Sequence, residues 1–368
     1  MIGAMRFFLC LLLCLPFTAG AQYKSDEHSF RVVKLVEGLD HPWSLAFLPD
    51  GRMLVTERPG RLNLLTADFK RTNIEGVPRV VASGQGGLLE VALHPRFGEN
   101  RILYLSYAEP GDGGASTALA RAKLGANRLE DLQVIFRQEP KTSGGLHFGG
   151  RIVFDRAGFL YLTLGERGQM QRAQVPGNHH GSVIRLNDDG SVPKDNPFVG
   201  KDGWKPEKYD LGHRNQQGAA LHPQTGRLWT HEHGPQGGDE INVIRPAANY
   251  GWPVITYGAN YGTGTKIGEG TQKEGMEQPL YYWVPSIAPS GMAFYTGERF
   301  PKWKGNLFVG ALRDQMLVRL VLDGEKVTKE ERLLKGVLGR IRDVRAGPDG
   351  YIYLLTDESN GVMARLEP

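Results

Sequence analysis

The feature that most constrains this chain is a phrase that recurs six times. Each copy consists of a short apolar strand, a turn rich in Pro, Asp or Gly, a second apolar strand and a polar exit. Short β-rich runs on either side of such turns are typical of β-hairpins. The six copies lie at residues 44–58, 91–109, 152–167, 219–233, 292–312 and 344–358.

Repeated hairpins without helices predict the fold. Repeats of about 40–50 residues built only of strands are typical of propeller blades, and no segment shows a sustained helical period. The 49 glycines among the 368 residues fit a fold with many tight turns. We therefore expect an all-β protein, a six-bladed β-propeller, formed by residues 22–368 as one domain. Unrelated hairpins of a β-sandwich are the alternative.

The first 21 residues have the pattern of a secretory signal peptide. Arg6 precedes an apolar run over residues 7–17, and residues 19–21 read Ala-Gly-Ala, an A-x-A cleavage site. The run is shorter than a bilayer-spanning helix requires, although an uncleaved anchor is an alternative. We therefore expect a periplasmic protein that begins at Gln22 and has no membrane span.

Composition excludes several classes of site. Both cysteines, Cys10 and Cys14, lie inside the predicted signal peptide. The exported chain would then have no disulfide, no cysteine metal site and no thiol nucleophile. The 44 basic and 40 acidic residues are too evenly balanced for a nucleic-acid-binding surface.

The repeat also predicts where polar residues from different blades meet. The reference position in each copy is an apolar residue just before the turn: Phe47, Leu93, Phe154, Leu221, Phe294 and Ala346. Six to eight residues upstream lie Asp40, His41, Gln85, His147, Arg214, Asn215, Ser286 and Arg340. The strand exits carry a second set that we assign to equivalent positions: Glu57, Glu109, Glu166, Glu232, Arg313 and Glu358. Because equivalent positions of a propeller lie at one height around one axis, we expect these side chains to converge at one end of the central channel.

Some of these residue types indicate chemistry. His147 lies between glycines in SGGLHFGGR, and a histidine has the pKa of a general base. A histidine that only donates structural hydrogen bonds is the alternative. Arg214, Arg313, Arg340 and Arg342 favour a ligand with several anionic groups, because guanidinium groups pair with carboxylates and phosphates. Ordinary salt bridges are the alternative.

A possible cation site follows one strand exit. Gly234 and Pro235 form a carbonyl-rich turn, and Asp239 and Glu240 follow it. Ca²⁺ binds several oxygen ligands of these kinds. Taken alone, this pattern is a weak signal for calcium.

Eight motifs, in order from about Leu39 to the C-terminus, resemble one enzyme family. They are DHPWSLAFLPDGRMLVTER, GQGGLLEVALHP, LHFGGRIVFD, LGHRNQQG, EHGPQGGDEINV, NYGWP, SGMAFY and GRIRDVRAGPDG. The chain resembles the soluble sugar dehydrogenases that depend on pyrroloquinoline quinone (PQQ), and most closely their periplasmic aldose sugar dehydrogenase branch. The resemblance implies a six-bladed propeller and a PQQ- and Ca²⁺-dependent quinoprotein. Such an oxidoreductase oxidises aldose sugars at the anomeric carbon to lactones.

The resemblance also implies roles for individual residues. His147 matches the catalytic base, Arg214 lies near the reactive carbonyls of the quinone, and Glu166 would orient the base. The positions that match cofactor contacts are Gln85, Arg214, Asn215, Tyr261, Arg313, Arg340 and Arg342. One Ca²⁺ at the cofactor would be bound by the backbone carbonyls of Gly234 and Pro235, and a second, structural Ca²⁺ by Asp239, Glu240 and Tyr250.

The chain departs from the related glucose dehydrogenases in two of these residues. Glu166 stands where they have Asp, and Arg313 stands where they have Lys. The chain is also shorter, so we expect a wider range of aldoses than glucose alone. The electron acceptor is not specified by any motif, and we expect a monomer or weak homodimer.

Two other classes of function fit the same residues. One is a Ca²⁺-dependent propeller lactonase without a quinone. The arginine set argues against it, because a neutral lactone does not require several guanidinium groups. The other is a non-catalytic propeller that binds a partner across its face. The combination of His147 with Arg214 argues against that class.

Overall fold

A computed structural model describes residues 21–368, so the predicted signal peptide lies outside the described residues apart from its last position. Within this range the strands form six antiparallel sheets. No helix within residues 21–368 is both long and apolar enough to cross a membrane.

The strands follow one another blade by blade. Two strands at the start of the chain, β1 (Gln22–Lys24) and β2 (Ser29–Leu39), belong to the last sheet. Blade 1 contains β3 (Pro42–Phe47), β4 (Met53–Glu57), β5 (Arg61–Leu65) and β6 (Arg71–Ile74). Blade 2 contains β7 (Leu88–Leu93), β8 (Ile102–Gly111), β9 (Gly114–Leu124) and β10 (Leu129–Arg137). Blade 3 contains β11 (Gly149–Phe154), β12 (Leu160–Leu164) and β13 (Ser182–Leu186).

The second half of the chain continues the pattern. Blade 4 contains β14 (Gln216–Leu221), β15 (Leu228–Glu232), β16 (Asp239–Val243) and β17 (Tyr281–Trp283). Blade 5 contains β18 (Pro289–Phe294), β19 (Leu307–Ala311), β20 (Met316–Asp323) and β21 (Lys326–Leu333). Blade 6 contains β22 (Ile341–Ala346), β23 (Ile352–Thr356) and β24 (Gly361–Glu367), and β2 pairs with β24 to close the ring. One short helix, α1 (Phe97–Asn100), and two 3₁₀ turns (Met170–Gln174 and Pro301–Trp303) lie between strands.

The sheets are arranged as the blades of a propeller. The first strand of each blade contacts the first strand of the next, from β3 through β7, β11, β14, β18 and β22 back to β3. A separate cluster of buried apolar side chains lies between each pair of neighbouring blades. The core is thus divided into six layers around an axis. The predicted all-β, six-bladed β-propeller is confirmed.

The pairing of the strands confirms the reference positions of the repeat. In all six blades the reference residue is the last paired residue of its hairpin: Phe47 with Met53, Leu93 with Leu103, Phe154 with Leu160, Leu221 with Leu228, Phe294 with Leu307, and Ala346 with Ile352. Each innermost strand also carries a register shift near its start. Bulges of this kind redirect side chains, here in the residues just after the loops of the site.

The assignment of the six strand exits was partly wrong. Counted from the residue that pairs with the reference residue, Glu57 and Glu232 are four residues further along the chain. Glu109, Glu166, Arg313 and Glu358 are six residues along. Two residues of a strand span about 6.6 Å. The six exit residues therefore lie at two heights along the channel axis instead of one.

Four charged side chains close the central channel below these exits. We call Glu90, Arg151, Asp343 and Arg345 the floor ring. Arg151 Nη1 lies 2.8 Å from Glu90 Oε2 and 2.9 Å from Asp343 Oδ1. Arg345 contacts the same two carboxylates. Because blades 3 and 6 face each other across the axis, the contact between Arg151 and Asp343 crosses the channel.

Candidate active site

A cavity opens at the end of the channel where the predicted residues converge. Its volume is about 530 Å³, within the usual range for small-molecule sites. The lining residues come from five blades and are His41, Arg58, Gly84, Gln85, Gln217, His233, Ala288, Leu312, Arg340, Arg342, Asp357 and Glu358. Of the eight upstream residues, His41, Gln85 and Arg340 line the cavity, whereas Asp40, His147, Arg214, Asn215 and Ser286 do not. Of the strand-exit set, Glu358 lines it.

Arginines dominate one side of the cavity. Arg342 is buried and donates to Asp357 at 2.8 Å and to Gln217 at 3.0 Å. Half-buried Arg340 donates to the same carboxylate at 3.3 Å. Burial is the largest influence and opposes ionisation of Asp357, but the hydrogen bond from Arg342 and the charges of Arg342, Arg58 and Arg340 together hold the pKa of Asp357 below its ordinary value. Arg58, Arg340 and Arg342 all line this wall, which therefore suits an anionic ligand.

His147 and Glu166 form a buried pair next to this cavity. Their side chains are 8% and 2% exposed, and His147 Nδ1 lies 2.8 Å from Glu166 Oε1. Since a carboxylate only accepts, Nδ1 carries the hydrogen and Nε2 is the basic atom of the neutral ring. Burial lowers the pKa of His147. The hydrogen bond that His147 donates to Glu166 opposes this lowering, and the charge of Arg214 reinforces it.

Backbone geometry holds this pair in place. His147 has a φ of 53°, in the left-handed region that non-glycine residues seldom adopt. A Cβ on Gly165 would lie 2.1 Å from the carbonyl oxygen of His147, so only glycine fits there. Strained backbone of this kind is concentrated at functional sites.

Gln85 links the pair to the cavity and to blade 4. Its Oε1 atom accepts the backbone N–H of His147 at 2.8 Å and the side-chain amide of Asn215 at 3.4 Å. The backbone N–H of Glu166 donates to the carbonyl of Arg214 at 3.0 Å. The structure thus brings together five residues that the sequence assigned to the site: Gln85, His147, Glu166, Arg214 and Asn215.

Arg214 is held by contacts to blade 4. Its Nη1 atom donates to the carbonyl oxygens of His233 at 3.1 Å and Gly234 at 2.8 Å. The guanidinium carbon lies 5.4 Å from the ring centroid of Trp252. Glu232 accepts the backbone N–H of Arg214. The arginine is therefore fixed along its whole length.

A second, much smaller cavity contains part of the predicted metal-binding set. It measures about 10 Å³, enough for one water-sized particle. Glu232, Gly234, Glu240 and Tyr250 are among its lining residues. Burial, reinforced by the charge of Glu232, raises the pKa of Glu240 to about 8. Two carboxylates and a nearby carbonyl around so small a space fit an oxygen-binding cation such as Ca²⁺.

Asp239 is engaged differently. Its carboxylate accepts the backbone N–H groups of Gly234, Ile287 and Ala288 and the hydroxyl of Ser286, at 2.7–3.0 Å. Asp239 thus holds the turn that starts at Gly234 and Pro235 against the loop before blade 5. Within residues 21–368, no group of three or more His, Cys, Asp or Glu side chains is arranged to hold a metal. Any cation here would depend on backbone oxygens.

Two predicted cofactor contacts lie away from this centre. Tyr261 is 66% exposed and lies outside both cavities. Arg313 is exposed and donates to the carbonyl of Ser286. Their proposed roles would require the side chains to reach the cavity from its rim.

Arg58, Gln217 and Asp357 are among the residues of the cavity wall that the sequence reasoning missed. Arg58 and Asp357 directly follow the second strands of blades 1 and 6. Both residues could have been predicted from their position directly after the second strand, whereas the alignment of the exit glutamates passed over them. Gln217 lies in the bulge of β14, which no sequence pattern indicated.

Comparison with known proteins places this architecture in a family. The family model for glucose/sorbosone dehydrogenases matches residues 39–365. The chain belongs to this family. Membership confirms the resemblance and the expectation of an oxidoreductase of the sugar dehydrogenase class.

Individual relatives support the same placement. Aldose sugar dehydrogenase YliI of Escherichia coli is 46% identical over 98% of both chains. The crystal structure of a glucose dehydrogenase is 53% identical, with a TM-score of 0.89 over 91% of this chain and 98% of the other. The PQQ-bound form of aldose sugar dehydrogenase from Streptomyces coelicolor is 29% identical, with a TM-score of 0.76 over 92% of this chain and 98% of the other.

Proposed function

We propose that this protein is a PQQ- and Ca²⁺-dependent aldose sugar dehydrogenase that oxidises the anomeric carbon of aldoses to lactones. The observation that carries the proposal is the buried His147–Glu166 pair beside an arginine-lined cavity. PQQ, when bound, supplies the two-electron acceptor that the protein side chains lack. The relatives named above support both the cofactor and the substrate class.

His147 would act as the general base. With Nδ1–H donated to Glu166, Nε2 is available to remove the proton of the anomeric hydroxyl while the hydrogen at the same carbon leaves as hydride. Glu166 would orient the ring and stabilise its protonated form. Because the ring is buried and its pKa is lowered, it is neutral and able to accept a proton at pH 7.

The remaining residues would bind and polarise the cofactor. Arg342, Arg340 and Arg58 line the wall that suits its carboxylates. Gln85 and Asn215 would donate from the opposite side, with Tyr261 and Arg313 at the rim. Arg214 lies where a positive charge would stabilise negative charge that develops on a carbonyl oxygen.

Calcium would bind at two places on blade 4. The carbonyls of Gly234 and Pro235 would hold one ion at the cofactor. Glu240, Asp239 and Tyr250 would contribute to a structural ion. Gly234, Glu240 and Tyr250 line the small cavity and support this assignment. Asp239 would support it indirectly, because its carboxylate holds the turn at Gly234.

The decisive experiment uses the purified cofactor-free protein. After addition of PQQ and Ca²⁺, aldoses should reduce an artificial dye and yield lactones. Hydrolysis of lactones with Ca²⁺ alone would instead support the lactonase alternative, and inactivity in both assays would favour a binding module.

We also propose export to the periplasm with cleavage before Gln22, as a monomer or weak homodimer. Mass spectrometry of the N-terminus and light scattering of the purified protein test these points. A mature protein that retains Met1 would contradict the cleavage.

A further inference from the structure

Arg167 is a buried cation that the proposed mechanism does not use. It is 2% exposed and has a φ of 61°. Among the described residues its guanidinium donates only to backbone carbonyls: Nη2 lies 3.0 Å from the oxygen of Ala115 and 2.7 Å from that of Gly144. Its guanidinium carbon lies 3.5 Å from the ring centroid of Phe148. Burying a charge without an opposite charge is costly, so this arrangement calls for an explanation.

The groups that Arg167 contacts all belong to, or support, the loop that carries His147. Gly144 precedes His147 by three residues, and Phe148 follows it directly. The backbone N–H of Arg167 also donates to the carbonyl of His147 at 3.3 Å. From the other side, Gln85 contacts the loop through Gly145 at 2.7 Å and through the N–H of His147. The loop is therefore held between blade 2 and Arg167.

We propose that Arg167 is a positioning residue for His147: it clamps residues 142–148 so that the imidazole keeps its hydrogen bond to Glu166, and it places an unpaired positive charge beside the ring. The proposal rests on the function proposed above, in which His147 is the base. It goes beyond that function by assigning two separable roles, a clamp and a charge, to one side chain.

The electrostatics around His147 agree with the second role. The charged groups that act on the ring are Glu166, Arg214 and Arg167. Burial has the largest effect and lowers the pKa of His147. Glu166 raises this pKa, whereas Arg214 and Arg167 lower it. Within the described chain no carboxylate is hydrogen-bonded to Arg167, and the charge of Glu166 acts on it only through space. The positive charge of Arg167 therefore favours the neutral form of the His147 imidazole, which can accept a proton.

The experiment reads the imidazole directly, in the cofactor-free mature protein. The Cε1–H signal of His147, assigned with His147→Asn, is followed by NMR as a function of pH in the parent and in Arg167→Gln. We expect the titration midpoint of Arg167→Gln to move to higher pH. We also expect amide exchange in residues 142–148 to accelerate about tenfold or more, because charge-assisted hydrogen bonds are lost.

Two further variants separate the roles. Arg167→Lys keeps the charge but loses the planar fork, so its midpoint should stay near that of the parent while exchange accelerates. Arg319→Gln is the matched control: Arg319 is also 2% exposed, but it pairs with Glu331 at 2.7 Å in blade 5. Its removal should lower thermal stability and change neither the His147 midpoint nor exchange in residues 142–148.

Three results would overturn the proposal. One is an unchanged midpoint in Arg167→Gln, and another is an equal shift in Arg319→Gln. If Arg167→Gln does not fold, unchanged exchange in Arg167→Lys would also overturn it. None of these measurements involves sugar or PQQ, so a parent protein without dehydrogenase activity would contradict the proposed function and leave this test intact.

Discussion

Two clusters of buried charge lie close to the axis of this propeller, and they are built in opposite ways. In the floor ring, each guanidinium contacts both carboxylates. Around His147, by contrast, Arg167 has carbonyl and aromatic partners only, and Glu166 Oε2 has no hydrogen-bond partner in residues 21–368. Paired charges stabilise a structure, whereas unpaired buried charges act on whatever lies beside them. The comparison therefore predicts a role in stability for the floor ring and supports the proposed catalytic role of the His147 cluster.

The largest expected effect is on turnover in the His147 cluster. His147→Ala should lower turnover by about 10²–10⁴-fold, the usual contribution of a general base, while still binding PQQ. A PQQ titration followed by kinetics at saturating PQQ measures both. His94→Asn is the control, since His94 is also buried but lies beside a cavity formed by hairpin turns. Near-normal turnover in His147→Ala would remove the distinction between the two clusters.

The floor ring should respond in stability instead. Arg151→Met leaves Glu90 and Asp343 without one of their two shared cations. It should lower the free energy of unfolding by about 3–5 kcal/mol, the usual cost of breaking a buried ion pair. Denaturant titration gives this value. If the variant folds normally but loses turnover as severely as His147→Ala, the ring belongs to the catalytic apparatus after all.

Arg342 should show an intermediate behaviour, because it is paired with Asp357 and also lines the cavity. Arg342→Gln should weaken PQQ binding by about 10- to 150-fold, which corresponds to a charge-assisted hydrogen bond of about 1.5–3 kcal/mol. Turnover at saturating PQQ should change little. Isothermal titration with PQQ, beside Arg319→Gln as a control, tests this. Unchanged affinity would mean that Arg342 is structural, like the floor ring.

Glu240 tests whether the small cavity on blade 4 binds a cation. A Ca²⁺ that binds only the native protein would add about 2.7 kcal/mol of stability at a hundredfold excess over its Kd. In Glu240→Gln the difference between melting curves with and without chelator should shrink. Glu331→Gln, at the distant pair with Arg319, should retain the full difference. Identical chelator effects in both variants would refute the site.

The smallest expected effect concerns pH. Because the pKa of His147 is lowered, kcat/KM should fall on the acid side only below the pH at which an exposed histidine titrates. Glu166 raises this pKa, so Glu166→Gln should move the acid limb to still lower pH while reducing the maximum rate. If the acid limb of Glu166→Gln moved to higher pH, it would contradict the conclusion that Glu166 raises the pKa of His147.

The fold was predictable because its signals are local. Hairpin turns and alternating strands identified six blades, and all six reference residues proved to be paired equivalents. The strand exits were harder, because a glutamate in the sequence does not reveal whether it is paired. Glu57 and Glu232 were consequently aligned with positions that lie two residues further along the second strand than their own. Matching identical residue types is no substitute for counting strand pairs.

The residues of the candidate site could be predicted from the sequence where the type of side chain itself indicates a function. Gln85, His147, Arg214 and Asn215 lie together as expected. Arg167 was missed because its partners are backbone carbonyls from distant positions, which leave no pattern in the residue types. Tyr261 was assigned through the resemblance alone, and it lies on an exposed insertion of blade 4.

The closure of blade 6 has a consequence for how the chain reaches its native state. That sheet combines β1 and β2 from the beginning of the chain with β22, β23 and β24 from its end. Five blades are contiguous in sequence and can pair locally as they are synthesised, but the ring stays an open arc until β24 meets β2. Pairing across nearly the whole sequence separation is entropically costly and slow. We therefore expect the pairing of β2 with β24 to be a late step of folding, and it is this pairing that completes the ring of blades around the site.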